Sequence, residues 1–448
     1  MCPNDNSSGT EASPANPEPL PRSLGALALW LLCINGIIGA GIFGAPAKAE
    51  LLTGEFSPWV FAMGALLIAP IMLCFAWLSA RFTGTGGPML YAGTAFGPFV
   101  GFQVGWTFYI ARMLAFGANL NLLVATIEYF SPQPFGPALR VGLLFVLCAS
   151  MVWVNIAGAR ATMGSLGLLT LLKLLPLVAL ALAGLSHLDA GVFTTAASPP
   201  PIADLGTAAL LVIYAYVGFE SGLVPAGESK DPKRDLPRAL LFALLVSASL
   251  YVLIQIAARS LVPDLAQSER PLVDAGESMI GPAGAVIVSL AIIFSVGANL
   301  LSSIFSAPRL TYRLALEGQL PALFARVHRT HGTPWISIAF YGAGVFVLAA
   351  TGSFAWLAVL SVFARLLLYM TCVASMARIR PRSEDGQRPF QLPGGPAIPV
   401  LAILVCVGLL TQVGVDSVLA TGGLLAIGTM LFLIAHLRNR ASSRSSTG

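Results

Sequence analysis

Apolar residues in this chain come in long unbroken blocks, not in the alternation of a half-buried strand or the single stripe of a surface helix. Twelve such blocks recur, at 25–49, 57–80, 99–127, 138–157, 162–185, 204–226, 237–261, 282–314, 335–351, 354–378, 397–415 and 418–437. About 20 apolar residues cross the hydrocarbon of a bilayer as an α-helix, which satisfies its own backbone there. The pattern predicts an all-α integral membrane protein with about 12 transmembrane helices. The third and eighth blocks are long enough to tilt or to carry an extra interfacial turn. Residues 1–21 are rich in Pro, Ser, Asn and Glu and read as a disordered cytoplasmic tail. The segment 439–448 reads as a second short tail.

Composition agrees with the pattern. Of 448 residues, 56% are hydrophobic and 10% charged, against roughly 25% charged in a soluble domain. The formal charge of +5 does not call for nucleic acid, because the basic residues sit between the apolar blocks. With the N-terminus inside, eighteen of them, from Arg22 through Lys230, Arg309 and Arg378 to Arg444, fall in cytoplasmic segments, and four, Lys48, Arg140, Arg259 and Arg270, fall outside. That asymmetry places both termini in the cytoplasm of a cell whose inner (plasma) membrane the chain crosses many times. The lipid bilayer is thus the first partner. Ala45-Pro46-Ala47 resembles a signal-peptidase site, but the block before it exceeds a typical signal core. Five of the six cysteines lie inside apolar blocks and read as small buried hydrophobes. His187, His328, His331 and His436 lack metal-ligand spacing, and no Walker-type phosphate loop is present. No cofactor and no metal are expected.

Two blocks are interrupted. The first reads Ile34-Asn35-Gly36-Ile37-Ile38-Gly39-Ala40-Gly41-Ile42-Phe43-Gly44-Ala45-Pro46, four glycines and a proline within a helix that must cross lipid. The sixth repeats the feature at Tyr214-Ala215-Tyr216-Val217-Gly218-Phe219-Glu220-Ser221-Gly222-Leu223-Val224-Pro225. A glycine-lined packing face explains either one alone. Two breaks five spans apart suggest an internal five-helix repeat, and an odd number of spans inverts the second copy. Unwinding frees amides and carbonyls that lipid cannot satisfy. Freed N–H groups at a half-helix N-terminus suit a carboxylate, and carbonyls at the opposing C-terminus suit an ammonium. A zwitterionic α-amino acid carries both.

Four charged residues lie near the middle of blocks: Arg112, Lys173, Glu220 and Arg365. A charge at mid-bilayer costs about 2.5–3.5 kcal/mol on insertion scales, so each needs a partner or a purpose. Lys173 is a candidate proton carrier or a permanent tie between spans. Glu220 reads first as an acceptor for freed N–H groups, with proton transfer during gating as the alternative. Arg112 and Arg365 can pair with Glu220, with backbone carbonyls, or with an acidic substrate.

Gly36-Ile37-Ile38-Gly39-Ala40-Gly41-Ile42-Phe43, then Gly218-Phe219-Glu220-Ser221 and Gly227-Glu228-Ser229-Lys230-Asp231-Pro232, resemble the signatures of the amino acid/polyamine/organocation superfamily. Gly86-Gly87-Pro88 and Arg309 with Gly318-Gln319-Leu320-Pro321 are similar to it as well. The resemblance implies a LeuT-like fold: a 5+5 inverted repeat with discontinuous helices 1 and 6, residues 22–380 forming the transport core, and two peripheral helices in 381–438. It further implies that the backbone of Ile38, Gly39, Ala40, Gly41 and Ile42 holds a substrate carboxylate. Tyr214, Tyr216, Val217, Gly218 and Phe219 would serve the amine, with Tyr214 and Tyr216 as candidate aromatic gates. In relatives a fifth-helix lysine fills a sodium site, and Lys173 resembles it; its ammonium would bridge carbonyls near Gly36 to Ser302 and Ser303. The function implied is secondary active amino acid transport by alternating access. It is read as sodium-independent, with proton symport and exchange both open and protons the candidate coupling partner. A polyamine or other organic amine carrier is the alternative within the fold, and an amino acid sensor on a transporter fold is the alternative outside it. No enzyme constellation is visible.

Overall fold

Each of the twelve apolar blocks coincides with helix in the computed structural model, which describes residues 20–128, 130–186, 200–352, 354–379, 390–411 and 415–445. The N-terminal segment up to residue 19, His187, and Arg380, Arg382 and Arg388 lie outside the described residues. The first block forms α1 (Ala26–Ile37) and α2 (Gly41–Thr53), followed by α3 (Ser57–Ser79) and a short α4 (Pro88–Phe96). Next come α5 (Pro98–Glu128), α6 (Pro137–Ile156), α7 (Ala159–Ser186) and α8 (Ile202–Tyr216). The second half holds α9 (Pro232–Leu261), α10 (Pro271–Ile280), α11 (Pro282–Ser306), α12 (Pro308–Leu316), α13 (Trp335–Thr351) and α14 (Phe354–Ser375). The chain ends with α15 (Ala397–Leu410) and α16 (Val415–Ser445), the latter running through most of the segment expected to be a tail. Seven of these helices open on proline, whose missing N–H costs nothing in a first turn.

Nine stretches among the described residues are long and apolar enough to cross a membrane, and the first of them, Ala26–Ser79, contains two of the sequence blocks. Trp335–Thr351 and Ala397–Leu410 are shorter apolar helices. Two blocks differ from expectation. The eighth is divided at Ala307, because Pro308 cannot donate into the preceding turn. The sixth does not resume as an α-helix after its break: Phe219–Gly222 and Val224–Glu228 are 3-10 turns, kinked at Pro225.

The packing is reciprocal. Taking α1/α2, α3, α5, α6 and α7 as one unit and α8 with its 3-10 turns, α9, α11, α13 and α14 as the other, the third helix of each packs on the fifth of its counterpart: α5 on α14, α11 on α7. Likewise α3 packs on α9, α6 on α13, α1 on α9 and α8 on α3. Such exchange of partners is what a two-fold relation between five-helix units produces. Helices α15 and α16 attach to α14, α3 and α5 from outside that pair.

Because both faces of these helices are apolar, polarity marks the inside. Helix α7 buries Thr162, Leu166, Thr170, Lys173, Leu177 and Leu180 at steps of three and four, while Leu168, Leu175 and Leu182 form an exposed row of the opposite face. Exposed leucine rows of this kind suit lipid contact. Glycine sets the closest approaches: a methyl on Gly184 of α7 would overlap Ala257 of α9.

Candidate functional site

Helix α1 stops at Ile38, whose φ −76° and ψ 91° are extended, and the chain restarts as α2 at Gly41. The first amides of α2 have no preceding turn to pair with. Opposite, α8 ends at Val217 (φ −81°, ψ 157°), and Gly218 takes φ 115°, a conformation that suits glycine. The two breaks meet. A methyl on Gly36 would overlap the Gly218 carbonyl, and one on Gly41 would lie 2.8 Å from Ala215 Cα. The glycines read from the sequence are therefore required by contact between the two interrupted spans.

The carbonyls released by α1 are collected by one face of α11. Ser295, Asn299 and Ser302 stand at positions i, i+4 and i+7, which share a helix face. Ser295 Oγ donates to the Ile38 and Gly39 carbonyls at 3.3 and 3.4 Å. Asn299 Nδ2 donates to the Asn35 and Gly36 carbonyls at 2.9 and 2.8 Å, and Ser302 Oγ to Leu32 at 3.0 Å. Asn119 of α5 holds Asn299 Oδ1 at 2.9 Å. From the other side Lys173 Nζ donates to the Ile38 carbonyl at 2.8 Å, and Thr170, one turn earlier, accepts from Asn35 Nδ2 at 2.6 Å.

Lys173 thus reaches the break two residues beyond Gly36, and the α11 hydroxyl sharing its carbonyl is Ser295. Ser302 and Ser303 lie two turns further along α11, about 10 Å at 1.5 Å per residue. There Ser302 serves Leu32, and Ser303 pairs with Tyr341 at 2.9 Å. The bridge to those two serines is corrected accordingly.

Glu220 stands just past Gly218 and is fully buried. Its Oε2 accepts the Gly218 N–H at 3.1 Å and the Tyr369 hydroxyl at 3.0 Å, while Oε1 lies 2.9 Å from Arg365 Nε. One carboxylate therefore satisfies an amide freed by the break and ties it to α14. Of the two arginines that could have paired with it, Arg365 does. Arg112, 1% exposed on α5, keeps Nε and Nη2 without hydrogen-bond partners among the described residues.

The aromatic candidates separate. Tyr216 is fully buried, with its hydroxyl on the Phe61 carbonyl at 3.1 Å and its ring 4.9 Å from that of Tyr251. Phe219 stacks on Tyr369 at 5.4 Å. Tyr214 is only partly buried and packs both against the main core and against a small apolar group that includes Leu114, Ala118 and Leu357. Tyr251 also braces the break, donating to the Ala215 carbonyl at 3.0 Å.

Where the chain enters α1, Leu24 and Ser229 form a single parallel bridge, next in sequence to the buried Glu228–Arg309 pair, with Arg309 also over the Phe305 ring. A cavity of about 600 Å³ opens elsewhere, between α4, α12 and the end of α16, lined by Met89, Arg313 and His436 among others. It begins at Gly101, eleven residues or about 16 Å of helix from Arg112. Among the described residues no three His, Cys, Asp or Glu come together as metal ligands.

Sequence reasoning missed Asn119, Ser295, Asn299, Tyr251 and Tyr369. The two asparagines carried a signal, since an amide in an apolar block needs a partner. The serine and tyrosines carried none, being ordinary in membrane helices until a break is placed beside them.

Comparison with known proteins matches this arrangement. The family described as amino acid permease aligns with residues 24–434. The chain is 27% identical to the serine/threonine exchanger SteT of Bacillus subtilis over 86% of this chain and 89% of that one. It is 25% identical to the branched-chain amino acid permease BcaP of the same organism, over 94% and 95%. A putative arginine/ornithine antiporter of B. subtilis is 27% identical over 69% and 73%. With two interrupted helices meeting at buried polar groups and a family match over nearly its whole length, the chain belongs to the amino acid permease family: it is a multi-pass membrane transporter of amino acids and not an enzyme.

Proposed function

We propose that this permease is a sodium-independent secondary transporter working by alternating access, with Lys173 occupying the position of a coupling cation. The observation that carries the reading is the 2.8 Å bond from Lys173 Nζ to the Ile38 carbonyl, at the point where α1 unwinds. A fixed ammonium there supplies the positive charge that a bound cation would otherwise bring. The substrate's carboxylate is then received by the amides from Gly39 to Ile42, the Ile38 N–H being held by the Ile34 carbonyl at 2.8 Å, and its amine by the carbonyls from Tyr214 to Gly218. Protons are the coupling ion in this reading, exchanged at Lys173. The chain sits in the plasma membrane with both termini in the cytoplasm, a placement that its loop charges support.

A second reading makes Lys173 a permanent tie in an amino acid exchanger. It is favoured by the α11 face, which already satisfies the carbonyls of Asn35 and Gly36 without help from the lysine, and by the exchange named for SteT. Uptake of labelled amino acids into proteoliposomes separates the readings. Transport driven by an inward proton gradient and abolished in Lys173→Ala supports coupling. Transport that ignores the gradient but requires internal amino acid supports exchange. A strict need for sodium overturns both.

A further inference from the structure

Arg112 is the feature of the site that transport of a generic amino acid leaves unexplained. Its guanidinium is enclosed, and two of its three nitrogens have no hydrogen-bond partner among the described residues. The other two buried arginines among the described residues differ in having a carboxylate as ion-pair partner. Arg309 is paired with Glu228 and with the Phe305 carbonyl, and Arg365 is paired with Glu220. Glu220, the carboxylate whose charge reaches Arg112, has one oxygen in an ion pair with Arg365 at 2.9 Å, not aligned as a hydrogen bond, and the other on the Gly218 amide and Tyr369. The junction of α5, the α8 break and α14 therefore holds two cations and one anion. A single negative charge is missing.

Position tells where that charge must come from. Arg112 Nη1 lies beside Gly218, 3.4 Å from where a β-carbon on that residue would be. Gly41, at the start of α2, packs on Ala215, three residues before Gly218. The amides suited to a carboxylate and the unpaired guanidinium thus flank the same stretch of α8. Neither an apolar nor a cationic side chain would complete the guanidinium, since each leaves its N–H groups unpaired in a dry site.

Resting on the transport reading above, we propose that Arg112 is a specificity-determining residue that receives a second carboxylate, so that the transported amino acid is of the acidic, dicarboxylate class. The α-carboxylate goes to the α2 amides, the amine to the α8 carbonyls, and the side-chain carboxylate to Arg112 in the fork geometry that guanidinium favours.

The test is a competition panel on the purified wild-type protein in proteoliposomes, with counterflow as readout. L-Glutamate and L-aspartate are compared with L-glutamine and L-asparagine, which match them in shape and differ in charge, and with leucine, serine and lysine. The expected result is that an acidic amino acid competes at least about tenfold better than its own amide, the factor that loss of one charged hydrogen bond produces. Arg112→Gln is expected to erase that ratio and Arg112→Lys to retain part of it. Should Arg112→Gln fail to fold, the wild-type ratio and Arg112→Lys still decide. Preference for amides or aliphatic amino acids with exclusion of the acidic ones overturns the assignment while leaving amino acid transport intact. An acidic preference that persists in folded Arg112→Gln overturns the role of Arg112. Failure of every amino acid in the panel overturns the transport reading itself, a distinct result.

Discussion

Replacing Glu220 by glutamine tests whether the break in α8 is held by a charge or by hydrogen bonds alone. The glutamine keeps one oxygen for the Gly218 amide or the Tyr369 hydroxyl, which the carboxylate now binds at 3.1 and 3.0 Å. It removes the anion 2.9 Å from Arg365, in a pair whose members are 3% and 0% exposed. An exposed pair would contribute at most about 1 kcal/mol, but removing one partner of a buried pair costs roughly 3–5 kcal/mol, because the other charge is left uncompensated. Here that charge is doubled, since Arg112 stands nearby. Thermal melting of the purified protein in mild detergent is expected to fall by roughly 5–10 °C for Glu220→Gln. In Glu220→Gln/Arg365→Met the cation in contact with residue 220 is gone and only Arg112 stays uncompensated, so a substantial part of the loss should return. With wild type and Arg365→Met alone, the comparison of four proteins isolates the coupling between the two residues, expected at roughly 2–3 kcal/mol. If Glu220→Gln melts within about 1 °C of wild type, or if the double variant loses the sum of the single losses, the pair does not hold the break and the reasoning fails.

Three further outcomes follow from the same geometry. Gly218→Ala should abolish counterflow, since φ 115° disfavours any β-carbon and the added methyl would strike the Gly36 carbonyl, whereas Gly44→Ala, with open space around it, should transport within about twofold of wild type; equal activity of the two would refute the contact. Asn299→Ala strands the carbonyls of Asn35 and Gly36 and is expected to cost roughly 2–4 kcal/mol, read as a lower melting temperature with Asn299→Ser partly restoring it. Glu228→Gln leaves Arg309 buried without its anion, so amide hydrogen exchange over residues 224–230 should quicken by about tenfold or more, and unchanged protection would show that the Leu24–Ser229 bridge alone holds that segment.

Much of this protein was legible from residue order because lipid imposes a one-dimensional rule. A helix satisfies its own backbone, so a run such as 162–185 declares itself without reference to any neighbour. The same rule exposed the two breaks, since Gly36 to Pro46 and Gly218 to Pro225 violate it. Loop arginines gave a proposed orientation for a similar reason, each acting singly on its own loop. The four charges near the middle of blocks were visible by the cost of placing them there.

What remained hidden was pairing, which depends on distances between helices far apart in sequence. Nothing in the run around Lys173 says that its partner is Ile38 and its neighbour Ser295, because that follows from how far α7 and α11 slide along α1. Nor could residue order choose between Arg112 and Arg365 as the partner of Glu220: both are arginines near the middle of their helices. The tertiary structure chose by rotating α14 so that Arg365 meets the carboxylate, and it left Arg112 facing the break without one. Residue order determined that two unwound helices and four charges share the membrane interior. Packing decided which charge is unanswered, since a hydrogen bond needs its partners about 3 Å apart and only the fold sets distances on that scale.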